Sequence, residues 1–313
     1  MSGLAIPRVA VIGELNVDLL ASGLRRPPQM GSEILARDFK IELGSASAIF
    51  ATGMAKLGHP VTFISQVGAD DFGDFCLGAL RAAGVSTKHV ARAASDRTGV
   101  TIALSAGRDR ALVTYQGAIA SLTYPHSEMS LLQRHRHLHM TSYFLQTALR
   151  PAFPEIFRQA RRMGLTTSFD PNSDPTGAWN VRIREVLAHT DVLFVNEPEA
   201  LQLSRVRGVR NALRTLGQFV SCAVIKRGPR GSIAIKDDEI TAAPGFKVKA
   251  VDTTGAGDSF AAGFVSAYLR GSSLAECLRA GNACGALSTL KPGGTAGQPN
   301  AKGLSQFLHT EGR

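Results

Sequence analysis

The chain has 313 residues, 44% of them apolar, and a formal net charge of +10. That length allows one large α/β domain with a small appendage and a sizeable core; no run reaches the roughly 18 apolar residues of a membrane helix, and four cysteines without a CxxC pair argue against a disulfide framework or a zinc site. The basic residues are scattered (Arg25-Arg26, Arg158, Arg161-Arg162, Arg205 to Arg214, Lys247) with no basic arm or nucleic-acid signature, so a solvated surface is expected rather than a nucleic-acid partner.

RVAVIG, near the start, soon meets Glu14 and Asp18, which marks a first strand rather than a secretion signal; a reducing cytoplasm fits the unpaired cysteines. Leu19–Leu43 and Thr98–Gln116 read as extended segments with turns. They are expected to pair as a small β-sheet lid, built from about 15–43 and 97–120, over the cleft of one domain spanning residues 1–313. Ser47–Leu57 and Phe72–Ala83 read as helices around the strand VTFISQVG. Arg108 and Arg110 fall in the lid's hairpin; a solvated turn is expected there, the alternative being contact with an anionic sugar acid or sugar phosphate. HRHLH (His135–His139) alternates three histidines with no carboxylate or cysteine cluster, so a strand edge with partly exposed histidines is favoured over a metal site. Gln146, at the end of the next segment, is either a substrate contact or a loop residue. Helix Pro154–Met163 leads to the strand TTSFD and to FDPNSDPTGAW, where Asp170 and Asn172 either face the site or shape Asx-Pro turns. DVLFV, helix Val209–Phe219 and CAVIK follow, then helices Ser259–Leu269 and Leu274–Leu287. Continuous apolar strands between amphipathic helices predict a doubly wound, mostly parallel sheet flanked by helices.

VDTTGAGDSFAAGF (Val251–Phe264) places a glycine-rich turn directly before a helix. The first amides of a helix lack internal partners and, with the dipole, favour an anion. Glycine lets the backbone approach a phosphate closely. Asp258, in the first turn, would repel a resting phosphate but suits a base that takes a proton from an attacking hydroxyl.

DTTGAGDSFAAG (Asp252–Gly263) resembles the second signature of the PfkB (ribokinase-like) family of sugar and nucleoside kinases. The resemblance continues in GELNVDLL (Gly13–Leu20), GSASAIFATGMAKLG (Gly44–Gly58), VGADDFG (Val67–Gly73), NEPEA (Asn196–Ala200), KRGPRG (Lys226–Gly231) and GNACGALSTLKPGG (Gly281–Gly294), in the family's order over nearly the whole chain. It implies a ribokinase-like fold and an ATP-dependent phosphotransferase acting on a hydroxymethyl group. Asp258 then matches the base, and Gly255, Ala256 and Gly257 the anion hole. Asn196 and Glu199 match the pair that positions Mg2+, largely through water. Lys226, Gly228 and Gly231 match the turn near the nucleotide phosphates, and Asn282 a residue beside adenine or ribose. Thr254 and Gly257 belong with the ATP site; Asp252 and Thr254 sit where many members bind activating K+. Asn16 and Asp18 match groups that bind substrate hydroxyls, with Gly44 close by. Many relatives pair their lids to make homodimers. The chain departs from the first signature: Ser45 stands where a second glycine is usual, and Ile49 where an asparagine contacts the sugar. Ser45 or Ser47 is expected to compensate, and ribose itself is put in question. A nucleoside, its base beside Ile49, is the alternative substrate; a catalytically silent ligand-binding homologue is the other alternative, disfavoured because the matched base and anion turn are both intact.

Overall fold

Alternation along β1 (Val9–Ile12) sends Ala10 and Ile12 into one apolar core and Val9 and Val11 into another, with all four side chains inaccessible to solvent. A strand covered on both faces belongs in the interior of a layered α/β sheet. In this computed structural model, which describes residues 6–106, 109–124, 126–179 and 182–310, the chain continues through β2 (Asn16–Leu24), β3 (Asp38–Leu43), α1 (Ala46–Lys56), β4 (Val61–Gly68), α2 (Asp71–Ala82) and β5 (Ser86–Ala93). Then come β6 (Gly99–Ala106), β7 (Asp109–Tyr115), α3 (Ala118–Ser121), β8 (His137–Thr141), α4 (Phe153–Arg162), β9 (Thr166–Asp170), α5 (Ile183–Leu187), β10 (Val192–Asn196), α6 (Glu197–Ser204) and α7 (Val209–Gly217). The last elements are β11 (Cys222–Lys226), β12 (Ser232–Lys236), β13 (Glu239–Ala243), α8 (Ala256–Leu269), α9 (Leu274–Ser288) and α10 (Ala301–Thr310).

The main sheet has nine strands in the order β13-β12-β11-β10-β9-β8-β1-β4-β5, parallel except for the β11-β12-β13 meander at one edge. Apolar faces of α4, α5 and α7 cover one side and those of α1, α2, α8 and α9 the other. From β1 the chain builds outward to β4 and β5, then returns to place β8 on the opposite flank, so the strand order reverses beside β1. Ligands of such sheets bind outside the carboxyl ends at this reversal. A second sheet, β3-β2-β6-β7, continues from the end of β1. Asp18, Thr101 and Thr114 are cross-strand neighbours on one of its faces. Phe39, Ile41, Ile102, Val113 and Tyr115 lie on the other face and are exposed.

Local chemistry sets the boundaries. Asp70 caps α2 by accepting from Gly73 N at 2.9 Å, and the same carboxylate accepts from Thr98 N at 2.8 Å, tying the helix to the start of β6. Ser273 and Glu276 form a reciprocal capping box that opens α9.

The histidines depart from expectation. β8 is no edge: it lies between β1 and β9, and His137 and His139 are fully buried. His137 bonds Thr166 Oγ1 and Ser168 Oγ at 2.7 Å each, Ser168 Oγ bonds His139 Nδ1 at 2.7 Å, and His139 stacks on Phe50. Burial pushes His137 down to about 3 and His139 well below the usual imidazole range, so both are neutral spacers in the core. Among the described residues no helix is long and apolar enough to cross a membrane.

Candidate active site

Parallel pairing aligns the carboxyl ends of β9, β10 and β11, and the last residue of each strand is polar: Asp170, Asn196 and Lys226. Asn196 is the N-cap of α6. Its Oδ1 accepts from Glu199 N, and Glu199 Oε2 accepts from Asn196 N, each at 2.9 Å. This box holds the Glu199 carboxylate at the strand ends, where Ser173 also donates to it at 3.1 Å. Lys226 Nζ pairs with Asp170 Oδ2 at 2.5 Å. Beyond β11, Gly228 and Gly231 make a tight turn, both with positive φ.

The turn into α8 faces these ends. Asp252 Oδ1 accepts from Thr254 N at 2.9 Å and from Thr254 Oγ1 at 2.8 Å, and Asp252 Oδ2 accepts from Gly293 N at 2.9 Å. Gly255 is the left-handed N-cap, with φ +68°. A Cβ there would stand 2.8 Å from Gly294 Cα and 3.0 Å from Ile49 Cδ1, so the close approach requires glycine. One cavity of about 710 Å³ is lined by Gly255, Ala256, Gly257 and Asp258 on the α8 side and by Lys226, Asn196 and Glu199 opposite, with Gly228, Gly231, Asn172 and Asn282 also on its wall. Asn282 is held there by bonds from its amide to the carbonyls of Ala243 and Pro244.

Charge is concentrated at this floor. Burial pushes the Asp258 carboxyl up to about 8; Asp170, Glu14 and Glu199 push the same way, against Lys226. Glu199 is also raised, by burial first and then by Asp170. Burial opposes the Lys226 charge, but Asp170, Glu199 and Asp258 outweigh it and hold the ammonium above its ordinary range. The arrangement joins the backbone at the head of α8, a proton acceptor, a cation and carboxyl and amide oxygens around one space, which suits transfer of an anionic group to a hydroxyl.

The second polar cluster lies at the end of β1. Asn16 Nδ2 donates to Asp18 Oδ1 at 3.0 Å, and a Cβ on Gly44 would meet both, 2.2 Å from Asp18 Oδ1 and 2.5 Å from Asn16 Nδ2. Glu14, fully buried, takes bonds from Ser47 Oγ at 2.6 Å, Ser142 Oγ at 2.9 Å and Ser47 N at 3.2 Å. Ser45 Oγ donates to the Glu14 carbonyl at 2.6 Å and caps α1.

The sequence profile of the pfkB family carbohydrate kinases matches residues 7–301. The chain belongs to the pfkB family of carbohydrate kinases. It is 27% identical over 309 residues to a ribokinase of Haemophilus influenzae, covering 96% of this chain and 98% of that one. It is 30% identical over 289 residues to a 2-dehydro-3-deoxygluconokinase of Bacillus subtilis, covering 87% and 88%. An E. coli protein provisionally assigned as ribokinase II, solved with ATP and Mg2+, superposes with a TM-score of 0.86 at 26% identity, over 97% of this chain and 100% of that one.

In this pfkB kinase the expected residues fall into two groups. Asp258, the Gly255–Gly257 turn, Asn196, Glu199, Lys226, Gly228, Gly231 and Asn282 share the cavity. Thr253 rather than Thr254 lines it, because the Thr254 amide and hydroxyl both turn to Asp252. Asn16, Asp18 and Gly44 converge at the second cluster. Ser45 or Ser47 was expected to compensate for the missing asparagine; the hydroxyls of both bond to Glu14. Ile49 is 3% exposed, its tip 2.4 Å from the place a Cβ on Gly294 would take, so it fills the space behind the anion turn. Gln146 is fully buried, its amide nitrogen donating to the Thr141 carbonyl at 2.5 Å and its Oε1 without a partner among the described residues. Arg108 lies outside the described residues, and Arg110 is described only in its backbone pairing with Ser105.

Sequence reasoning missed Glu14. Ser45 (φ 70°), Ser142 (φ 54°) and Asn172 (φ 55°) all occupy the left-handed region. Ser45 and Ser142 bond to Glu14, and Asn172 Nδ2 donates to Ser142 Oγ at 2.9 Å. Each strained residue costs about 1–3 kcal/mol, and a typical hydrogen bond returns about 0.5–1.5 kcal/mol, so these contacts offset part of the strain. The visible signal is a glutamate ending an apolar strand together with two serines opening α1.

Proposed function

We propose that this kinase transfers the γ-phosphoryl group of ATP to a hydroxymethyl group of a sugar or sugar derivative in the cytoplasm. The observation that carries this reading is the half-buried Asp258 carboxylate at the head of α8, beside the Gly255–Gly257 amides and opposite Lys226, in one cavity. Asp258 takes the proton of the attacking hydroxyl as the oxygen–phosphorus bond forms and the bond to the ADP oxygen breaks; the amides stabilise the charge that develops. Asn16 and Asp18, with Gly44 leaving room, hold substrate hydroxyls. Gly228, Gly231 and Asn282 flank the nucleotide. Asn196 and Glu199 present oxygen donors of the class Mg2+ takes alongside several waters, so these residues fit it; the ion would neutralise phosphate charge. Asp252 and Thr254 border the site of an activating K+. The second sheet serves as the lid, and its exposed apolar face seats the lid of a second copy. A monomer mass by light scattering at micromolar concentration would remove the dimer.

Ile49 bears on the nucleoside alternative. Packed behind the anion turn, it offers no exposed apolar surface to a base, and this favours the sugar reading. The test is ADP release with MgATP across neutral sugars, sugar acids and nucleosides, run in K+ and in Na+ salts. We expect turnover with a sugar or sugar acid and stimulation by K+. Turnover confined to nucleosides would overturn the substrate assignment.

A further inference from the structure

Four ionisable side chains, Asp170, Glu199, Lys226 and Asp258, meet at the cavity floor, and the base-and-amide chemistry proposed above uses one of them. Lys226 Nζ stands 3.1 Å from the point a Cβ on Gly257 would occupy, directly over the middle of the anion turn. Its partner Asp170 is 1% exposed, whereas Lys226 retains 14% exposure toward the cavity. Three carboxylates, Asp170, Glu199 and Asp258, act on this one ammonium. A buried ion pair is weak evidence for stability, since an apolar pair of similar volume commonly does as well. A pair whose lysine lines an open cavity beside the backbone of the anion turn calls for a chemical reason. Lysine carries a compact charge on a flexible four-carbon stem, so a small rotation moves it from one oxygen to another.

From this juxtaposition of Lys226, Asp170 and the Gly257 backbone, we propose that Lys226 is a catalytic residue: its ammonium leaves Asp170 for an oxygen of the phosphoryl group in flight, and Asp170 is the positioning residue that holds it ready. The proposal rests on the phosphotransfer reading. In the step, the acceptor oxygen bonds to phosphorus, its proton passes to Asp258, and the leaving ADP oxygen keeps the electron pair of the bond that breaks. Lys226 keeps all its protons and supplies charge alone. Before the phosphate arrives, Asp170 satisfies the ammonium and prevents it from closing on Asp258. During transfer, Lys226 adds a mobile cation to the fixed amides of Gly255–Gly257. Phosphoryl transfer is mostly positioning and charge stabilisation, so a cation at this point acts on turnover more than on ground-state binding.

The test compares K226M, D170N and K226M/D170N with wild type, using turnover, calorimetric MgATP affinity and the pH dependence of kcat/KM. K226M is expected to lower kcat about 10²–10³-fold, as loss of an oxyanion donor does, with MgATP affinity changed less than tenfold. Lys226 lowers and Asp170 raises the Asp258 pKa, so the acid limb should move to higher pH in K226M and to lower pH in D170N, shifts that a purely structural pair would not give. K226M leaves a buried carboxylate unpaired and threatens the fold; the double variant removes both charges and is expected to fold with the same loss of turnover as K226M. Wild-type-like kcat in either folded variant overturns the role of Lys226. If Asp258→Asn is inactive in that event, the phosphotransfer reading stands and only the lysine's role falls; if it too is active, the reading itself fails.

Discussion

Asp258→Asn is expected to fold, to bind MgATP, and to lose about 10²–10⁴ in turnover, the usual contribution of a positioned general base. Asparagine keeps the size and polarity of the side chain and removes its capacity to take a proton. The wild-type carboxyl, pushed up to about 8 by burial, with Asp170, Glu14 and Glu199 adding to the shift and Lys226 opposing it, is mostly protonated in the free enzyme at neutral pH. The reactive form is the deprotonated one. Thus kcat/KM should climb about tenfold per pH unit below 8 and level off above it, and the variant should show no such limb. The raised carboxyl also has a stability consequence with a definite sign. Between the ordinary aspartate value and 8, the native state holds a proton that the unfolded chain has released, so the Asp258 contribution falls as pH rises through that window. Asp258→Asn should therefore melt above wild type at pH 8. Near-normal turnover in a folded variant would end the mechanism.

Gly255→Ala should cost about 10²-fold in kcat while the protein remains folded. An L-residue at φ +68° is strained by about 1–2 kcal/mol, and the added methyl would sit 2.8 Å from Gly294 Cα, a backbone atom that cannot turn aside. The turn must open, moving the amides of residues 255–257, and a displacement of about 1 Å at a reacting centre is enough for a hundredfold loss. Gly271→Ala is the matched control. It also has positive φ (+78°), in the connection from α8 to α9, but a Cβ there meets nothing within 4 Å. It should lose stability and keep its rate. Equal rates for Gly255→Ala and the control would show that the turn does not hold the reacting group.

The parallel sheet was legible because its strands are short β-rich runs between helical segments: TTSFD and CAVIK coincide with β9 and β11. The α8 turn was legible because a left-handed N-cap against a neighbouring backbone admits little besides glycine. Elements fixed by contacts distant in the chain were harder to read. α6 opens on Asn196 and Glu199, which read as a ligand pair and form a capping box, so one pattern admits two physical readings. The β8 histidines look polar in sequence and are buried because Thr166 and Ser168, nearly thirty residues on, satisfy their nitrogens. The Lys226–Asp170 pair spans 56 residues, and no local spacing announces it. Ser45 or Ser47 was expected to stand in for the missing asparagine; that both bond to Glu14, 31 and 33 residues earlier, no local spacing announces.

Glu14 fastens the entrance of α1 to the exit of β8, and through Ser142 to the turn that follows β9. Redesign of the second polar cluster therefore inherits a constraint. Restoring a double glycine at 44–45 would relax the backbone there and make one of the glutamate's ties redundant, while leaving Ser142 and Asn172 dependent on it. Changes in these three segments are not separable design variables, and a library that randomises one while freezing the others will sample mostly mismatched combinations.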